Sequence, residues 1–292
     1  MKAKLPILVA TLLVGALITG CSKESTEVAS TDQEAIQELL FSQYADWIDI
    51  TEAYEGDSTE GDASLASKDT LQGLRAWWRR HFWQEQIRDL NIHIENDTAW
   101  VTLYREIPGR LNLLFCTDTT FPETVVRYTK PLRDYSERRL LFVRTGAPTD
   151  PHRGWELRAI SNVEVNSSAP TVRIDSVRVT GGDYDTVFTD PLALQEREEV
   201  FTFAPGTEVT LTLYVNDPQN IVAYLHHPEA RHRFRRHRFF FEDGHFVGTW
   251  ITPPDPGVYH TAVDVLHRAT LITDDYPYDA NLWLVVYRVV QP

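Results

Sequence analysis

The densest group of chemically active side chains in this chain lies in residues 226–238, whose sequence is HHPEARHRFRRHR. The stretch holds five arginines, four histidines and one glutamate, so its net charge is +4 with histidine neutral. Guanidinium groups form paired hydrogen bonds to the oxygens of carboxylate, phosphate or sulfate. The stretch therefore contains five candidate anion-binding side chains: Arg231, Arg233, Arg235, Arg236 and Arg238.

Three interpretations of 226–238 stay open at this stage. It can be an exposed loop and strand edge, since natural sheets protect their edges with charge. It can dock the acidic part of this chain or of an envelope partner protein. It can also bind a glycan or a polyanion, more tightly below pH ~6.5, where histidine becomes positive. The histidine spacing does not match a zinc site, so we predict no metal here.

A second group of candidate residues is aromatic. Two predicted helices would direct Tyr44, Trp47, Trp78, His81 and Phe82 inward. These side chains could line an apolar pocket or fill a plain core. His81 near Tyr44 or Asp46 could act as a general base, but a solvated acidic helix face is the simpler explanation of Asp46.

Other reactive side chains have structural explanations. Cys116 ends the apolar run 113–115 and is typical of a buried thiol. The carboxylates of 274–279 and 182–185 lie beside proline or glycine, as turn chemistry requires, and lack the regular spacing of a calcium loop. No nucleophile elbow, phosphate-binding loop or dinucleotide fingerprint is present. We therefore predict no catalytic residue and no cofactor, and the sequence favours a non-enzymatic protein.

The first half of the chain predicts helices followed by strands. Thr31 or Asp32 can cap a helix whose apolar residues recur at helical spacing, and a second helix is predicted over 67–85. From Ile87 the period becomes two, which predicts five strands with turns at 96–97 and 108–109. This order favours an α+β domain over 32–166, in which one curved antiparallel sheet packs on the helices.

The second half predicts strands alone. Short β runs separated by turns such as Gly181-Gly182 and Asp243-Gly244 fill 167–292. Seven or eight strands in this length favour an all-β sandwich. The segment 167–170, with the sequence SSAP, is the predicted domain boundary.

Charge restricts the partners. The 292 residues carry a net charge of −14, and about 42% of them are hydrophobic. A chain this acidic does not bind nucleic acid through bulk charge.

The first 21 residues contain the parts of an export signal in the expected order. Lys2 and Lys4 precede an apolar run that ends in Ile18-Thr19-Gly20-Cys21. These four residues resemble a bacterial lipobox, which implies that Cys21 is lipidated and becomes the mature N-terminus. Residues 22–31 would then be a polar tether, and the lipid on Cys21 would attach the protein to a membrane, most simply the outer membrane.

Two family resemblances cover most of the remaining chain. Residues 130–132, 138–144 and 154–160 resemble the last long strands of the ketosteroid-isomerase-like cone fold, also called the nuclear transport factor superfamily. Residues 205–211, 248–250 and 256–259 resemble a bacterial immunoglobulin-like domain. The first resemblance implies a cone that serves enzymes and non-enzymatic partners alike, and no catalytic position of that family can be matched here.

The sequence thus predicts a lipid-anchored protein of the bacterial cell envelope with a binding or scaffolding role. One alternative is an enzyme or small-molecule carrier that uses the cone cavity. The other is a glycan- or polyanion-binding module that acts through 226–238.

Overall fold

The computed structural model describes residues 31–55, 75–83, 86–116, 125–230 and 233–291, and these residues are mostly β-strand. The helices are α1 Asp32–Phe41, α2 Ala45–Ile48, α3 Thr51–Glu55 and α4 Arg268–Ile272. The strands before position 170 are β1 Arg75–Phe82, β2 Gln86–Glu95, β3 Thr98–Cys116, β4 Val125–Arg144, β5 Trp155–Ile160 and β6 Val163–Ser167. The later strands are β7 Ile174–Gly181, β8 Tyr184–Phe188, β9 Gln195–Glu196, β10 Thr202–Phe203, β11 Glu208–Val215, β12 Ile221–Ala230, β13 Arg233–Arg238, β14 Phe240–Glu242, β15 His245–Ile251, β16 Gly257–His267 and β17 Ala280–Val289.

These strands form two sheets. The larger sheet has the order β1-β3-β4-β6-β17-β16-β12-β13, and β2, β5, β9 and β10 pair along it. The smaller sheet has the order β14-β15-β11-β7-β8. Apart from the parallel pair β10–β17, the described pairings are antiparallel.

The larger sheet curls until side chains of its two ends meet. Arg236 of β13 donates from Nη2 to the carbonyl oxygen of Trp78 in β1 at 2.7 Å, and the Arg236 guanidinium lies 3.8 Å from the Trp78 ring centroid. The concave side is therefore enclosed, with Tyr54 of α3 in the core cluster that fills it.

The smaller sheet packs on the outer face of one part of the larger sheet. Val209, Leu211 and Phe246 of the smaller sheet share a core cluster with Val263 and Val285 of the larger one. Strands β12, β16 and β17 are consequently buried on both faces, as their nearly continuous apolar runs require.

The expected α+β cone followed by an immunoglobulin-like sandwich is wrong as a description of the fold. The chain is mostly β, with short helices, and its second predicted helix does not form where the structure describes it. Residues 75–82 are strand β1, because Trp78 and Arg80 are buried while Arg79 and His81 are exposed, which is a period of two. The predicted residues Trp78, His81 and Phe82 thus lie on a strand; 67–74 lies outside the described residues.

The predicted turn at Pro108-Gly109 is also wrong, because both residues lie inside the 19-residue strand β3. Gly109 is required by close approach: a Cβ atom there would lie 2.5 Å from the carbonyl oxygen of His81 in β1. The turn at Asn96-Asp97 is confirmed, with Asn96 at a φ of 54° between β2 and β3. The cap at Thr31 is confirmed as well, since its hydroxyl accepts from the Glu34 amide at 3.2 Å.

The predicted boundary at 167 remains a prediction. Strand β6 ends there, yet it pairs with β4 on one side and with β17 on the other. Hydrogen bonding in the larger sheet therefore continues across this position.

Candidate functional site

An open cavity lies where strands of the two sheets meet, and we call it the rim cleft. Its volume is about 650 Å³. Strands β12, β13 and β15 and the loops at their ends supply its lining: Pro205, Gly206, His227, Glu229, Arg235, His237, Thr249, Trp250, Ile251, Thr252 and Pro254.

Strand register brings the polar side of the rim cleft together. His227 is opposite Arg235 in the β12–β13 pair, and His237 is opposite Leu225. Residues of alternating position share a face of a sheet, so these side chains face the cleft together. The rings of His227 and His237 lie with their centroids 5.0 Å apart, and Arg235 forms an ion pair with Glu229.

The rim cleft carries little net charge. Burial, and then the neighbouring His237, lower the pKa of His227 to about 4. His227 is therefore neutral at pH 7, and the Arg235–Glu229 pair contributes one charge of each sign. The apolar part of the lining includes Trp250, two prolines and the exposed Ile251.

Among the predicted anion-binding arginines, the described side chains of Arg235 and Arg236 lie on opposite faces of the sheet. Strand alternation turns Arg235 to the rim cleft and Arg236 to the opposite face, where Arg236 packs on Trp78. Arg238 is half-buried. Arg231 and the side chain of Arg233 lie outside the described part of the chain.

The predicted pocket residues are likewise separated. Tyr44 is buried in the core cluster of α1 and β5, with Phe142 against its ring, and Trp47 is half-buried beside that cluster. Trp78 is buried in a different cluster, which Phe82 joins by packing on Tyr54 at 4.6 Å. His81 is exposed. These five side chains therefore do not enclose a common space.

The concave side of the larger sheet instead holds a polar group that the sequence did not indicate, which we call the inner ionic cluster. Arg80 forms a bidentate ion pair with Asp264, with nitrogen–oxygen distances of 2.5 and 2.8 Å. Arg80 Nε also donates to the Tyr278 hydroxyl at 2.9 Å. The Arg80 and Asp264 side chains are completely buried.

The inner ionic cluster extends to a second carboxylate. Tyr278 donates to Asp134 Oδ2 at 2.9 Å, and Tyr54 donates to the same oxygen. His226 Nε2 lies 3.2 Å from Asp264 Oδ2, and its Nδ1 lies 3.0 Å from the carbonyl oxygen of Ala53. Five elements and the loop before β17 thus meet at this cluster.

Burial dominates the electrostatics of the inner ionic cluster. It raises the pKa of Asp134 to about 6, against the opposing effects of Arg80 and the two tyrosines. Burial likewise opposes ionisation of Asp264, but Arg80 overcomes it and holds the pKa of Asp264 below its usual value. A carboxyl group with a pKa near 6 suits proton transfer. Asp134 is fully buried, however, and none of the cluster side chains lines the rim cleft.

The remaining candidate residues have structural partners or fall outside the description. Asp279 accepts from the amide of Thr171 at 2.9 Å, and Asp185 pairs with Arg178 at 2.5 Å. The described residues contain no group of three or more histidine, cysteine or acidic side chains arranged to hold a metal. The side chain of Cys116 and all of residues 1–30, including Cys21, lie outside the described part.

Comparison with known proteins does not assign the chain to a family. No family description matches it, and neither a curated protein nor a solved structure is significantly similar to it. Across the described ranges, no helix is both long enough and apolar enough to cross a membrane.

Proposed function

We propose that this chain is a lipid-anchored protein of the bacterial cell envelope with a non-catalytic binding role, and that the rim cleft is its binding site for a glycan. The observation that carries the proposal is the preformed cleft of about 650 Å³ between the two sheets. The alternative roles as an enzyme or carrier lack comparable support, because the five predicted pocket residues do not share a cavity.

The lining of the rim cleft supports a glycan over a polyanion. The flat ring of the half-buried His237 can pack on the C–H face of a sugar, while the Arg235–Glu229 pair offers a donor and an acceptor for hydroxyl groups. With His227 neutral at pH 7, the described polar lining does not supply the excess positive charge that a polyanion requires.

Binding can be tested with the full-length protein in detergent, using peptidoglycan sacculi and immobilised lipopolysaccharide as glycan probes and heparin as the polyanion. We expect one of the glycans to retain the protein. Ile251→Arg should weaken that retention by about tenfold or more, because Ile251 lines the rim cleft and a long charged side chain there would occupy it.

Val187→Arg is the matched control, because Val187 is also an exposed aliphatic residue of the smaller sheet but lies on β8, at its opposite edge. It should bind within about twofold of wild type. If both variants are retained equally well, the rim cleft is not the binding site. Retention on heparin alone, lost at moderate salt, would favour the polyanion alternative.

The anchor is tested separately by Cys21→Ser in cells fed a fatty acid that can be detected after incorporation. The lipobox resemblance predicts that wild type is labelled and fractionates with membranes, and that the variant is unlabelled. If the Cys21→Ser variant is still labelled, the lipid is attached to a different residue.

A further inference from the structure

Strand β15 loses one of its two neighbours partway along its length. It pairs with β11 over residues 246–251, but with β14 only over residues 245–247. The chain leaves the smaller sheet at Phe239, just before β14, because the backbone N–H of Phe239 donates to the carbonyl oxygen of Ala223 in β12 at 2.9 Å. Residues 248–251 therefore have no strand beside them on that side in the described part of the chain.

The open side of β15 presents the backbone groups of Thr249 and Ile251. In an antiparallel pair, the backbone N–H and C=O of alternate residues point to the same neighbouring strand. Thr252 donates from its backbone N–H to the carbonyl oxygen of Thr207 at 2.9 Å, which continues the β11–β15 register by one position. The backbone groups of Trp250 therefore also point to β11, and those of Thr249 and Ile251 point away from it.

The hairpin between β14 and β15 gives the same orientation by a separate route. The turn residues Asp243 and Gly244 have φ angles of 47° and 85°, as a type I′ turn requires. In such a turn the fourth residue, here His245, donates its backbone N–H to the carbonyl oxygen of the first, Glu242. His245 thus faces β14, and Thr249, four positions later, directs its backbone groups to the same side.

The rim cleft lies along this open edge. Thr249 and Ile251 both line it, and β13 supplies Arg235 and His237 to the facing wall. Thr249 is exposed, and Ile251 is 51% exposed. Unpaired backbone donors and acceptors at a strand edge are a template for another extended chain. The rim cleft therefore offers a place where a short peptide can add to β15.

We propose that the glycan bound in the rim cleft carries a short peptide, and that this peptide adds to β15 through the backbone groups of Thr249 and Ile251. The inference rests on the function proposed above and names the class of glycan. A peptide main chain repeats one donor and one acceptor per residue, and in strand addition these groups pair with the backbone of the edge strand.

The facing wall is left to the sugar. His237 and the Arg235–Glu229 pair lie on β12 and β13, across the cleft from β15, so a saccharide can contact them while its peptide pairs with the open edge. Of the two glycan probes named above, peptidoglycan carries such peptides and lipopolysaccharide does not. Peptidoglycan is therefore the glycan that we expect to retain the protein.

Calorimetric titration of the full-length protein in detergent can separate the two parts of the ligand. The probes are a disaccharide pentapeptide released from peptidoglycan, the same disaccharide without peptide, and the free pentapeptide. We expect the disaccharide pentapeptide to bind most tightly. The bare disaccharide should bind about tenfold or more weakly, because it forms none of the backbone hydrogen bonds.

The outcomes distinguish this inference from the function on which it rests. Equal binding of the two saccharides would overturn the peptide inference and leave the glycan function in place. If the free pentapeptide binds as tightly as the disaccharide pentapeptide, the open edge is a peptide site and the glycan function is wrong. Binding of none of the three probes would overturn both.

A proline variant tests the strand edge directly. Thr249→Pro removes a backbone N–H on the open side and leaves the β11–β15 hydrogen bonds in place, since the Thr249 N–H is not part of them. Binding of the disaccharide pentapeptide should weaken about tenfold or more, while binding of the bare disaccharide should stay within about twofold of wild type.

Val187→Pro is the matched control. Val187 lies on the edge strand β8, three positions after Tyr184, which is opposite Gly181 at the turn from β7. The backbone N–H of Val187 therefore points away from β7, and its loss should leave binding of the disaccharide pentapeptide unchanged. If folded Thr249→Pro binds that probe as Val187→Pro does, the edge of β15 is not the peptide site.

Amide hydrogen exchange, followed by NMR, needs no variant. The Thr249 and Ile251 amides should exchange about tenfold or more slowly when wild type is saturated with the disaccharide pentapeptide, because a paired N–H is protected. The amides of Asp185 and Val187, at the edge of β8, should not change. Unchanged exchange at Thr249 and Ile251 would reject strand addition even if Thr249→Pro does not fold.

Discussion

Arg80 of β1 and Arg138 of β4 are both buried in the larger sheet, and their surroundings differ in one respect. Arg80 meets a carboxylate supplied by the chain itself, Asp264, with which it forms two short hydrogen bonds. Arg138 meets backbone carbonyl and cationic neighbours, and its Nε and Nη2 make no hydrogen bond to any described residue. Both side chains are almost completely inaccessible to water.

The difference shows that one sheet can bury the same side chain in two electrostatic settings. Burial alone would lower the pKa of Arg80, but Asp264 raises it well above the usual value, so the ion pair links β1 to β16. No such partner acts on Arg138, whose pKa falls to about 9. Removing one partner of a buried ion pair leaves an uncompensated charge, whereas removing a buried cation that has no acidic partner does not.

The largest effect in this comparison should follow from removing Arg80. Arg80→Met leaves Asp264 as a buried charge without its cation and also removes the hydrogen bond to Tyr278. We expect the free energy of unfolding, measured by urea denaturation with tryptophan fluorescence, to fall by about 3–5 kcal/mol.

Two companion variants keep this prediction specific. Arg79→Met changes the neighbouring, exposed arginine of β1 and should stay within about 0.5 kcal/mol of wild type. Adding Asp264→Asn to Arg80→Met should recover part of the loss, because the unpaired charge is then gone. A loss below about 1 kcal/mol for Arg80→Met would mean that the pair does not hold the sheet together.

The second effect concerns the other carboxylate of the inner ionic cluster. The pKa of Asp134 is about 6 in the folded protein and near 3.8 when unperturbed, so the folded state binds this proton more tightly than the unfolded state does. The stability associated with that proton is present below about pH 4 and is lost as the pH rises through 6. A difference of about two pKa units corresponds to roughly 3 kcal/mol.

Asp134→Asn should therefore become more stable relative to wild type as the pH rises from 4 to 7, by up to about 3 kcal/mol. An asparagine side chain still accepts a hydrogen bond from Tyr54 or Tyr278 and carries no charge. Asp185→Asn serves as the surface control: hydrogen bonding to Arg178 lowers the pKa of Asp185, so its difference from wild type should change in the opposite direction. A flat difference for Asp134→Asn would contradict the role assigned to burial.

Local rules predicted the elements in which neighbouring residues decide the structure. The cap at Thr31 and the turn at Asn96 depend on a few adjacent side chains, and both formed. The alternation of Val209, Leu211 and Leu213 in β11 follows a local rule as well, since each apolar residue faces the core between the sheets. Signals of this kind are contained within about ten residues.

The inner ionic cluster could not be predicted in this way. Arg80 and Asp264 are 184 positions apart, and only the curling of the sheet brings them together. The segment 75–82 resembles a helix because Trp78 and Phe82 are four positions apart. Its burial alternates with a period of two, but one of the buried residues is Arg80, a charged residue that a search for apolar alternation does not count. The buried Arg80 thus accounts both for the wrong helix and for the missed cluster.

The lining of the rim cleft could be predicted only in part, and its role as a binding site stays a proposal. Strands β12 and β13 of the charged stretch 226–238 supply part of the lining, yet strand alternation sends Arg236 inward and leaves Arg235 and the two histidines toward the cleft. Trp250 and Ile251 complete the lining from the other sheet. The packing of the two sheets brings these residues together with β12 and β13, and no feature of the sequence 226–238 indicates that contact.

The smallest expected effect is the sharpest test of the contrast between the two arginines. Arg138→Met removes a buried charge that has no acidic partner in the described part of the chain, and it also removes the hydrogen bond to Trp47. The first change stabilises the protein and the second destabilises it by about 1.5–3 kcal/mol. The net change in the free energy of unfolding should thus lie within about 1 kcal/mol of zero.

Urea denaturation of Arg138→Met beside Arg139→Met, which changes the neighbouring exposed arginine of β4, measures this difference. A loss of 3 kcal/mol or more for Arg138→Met, of the order expected for Arg80→Met, would place Arg138 among the groups that hold the sheet. The distinction between an arginine with a carboxylate partner and one without would then disappear.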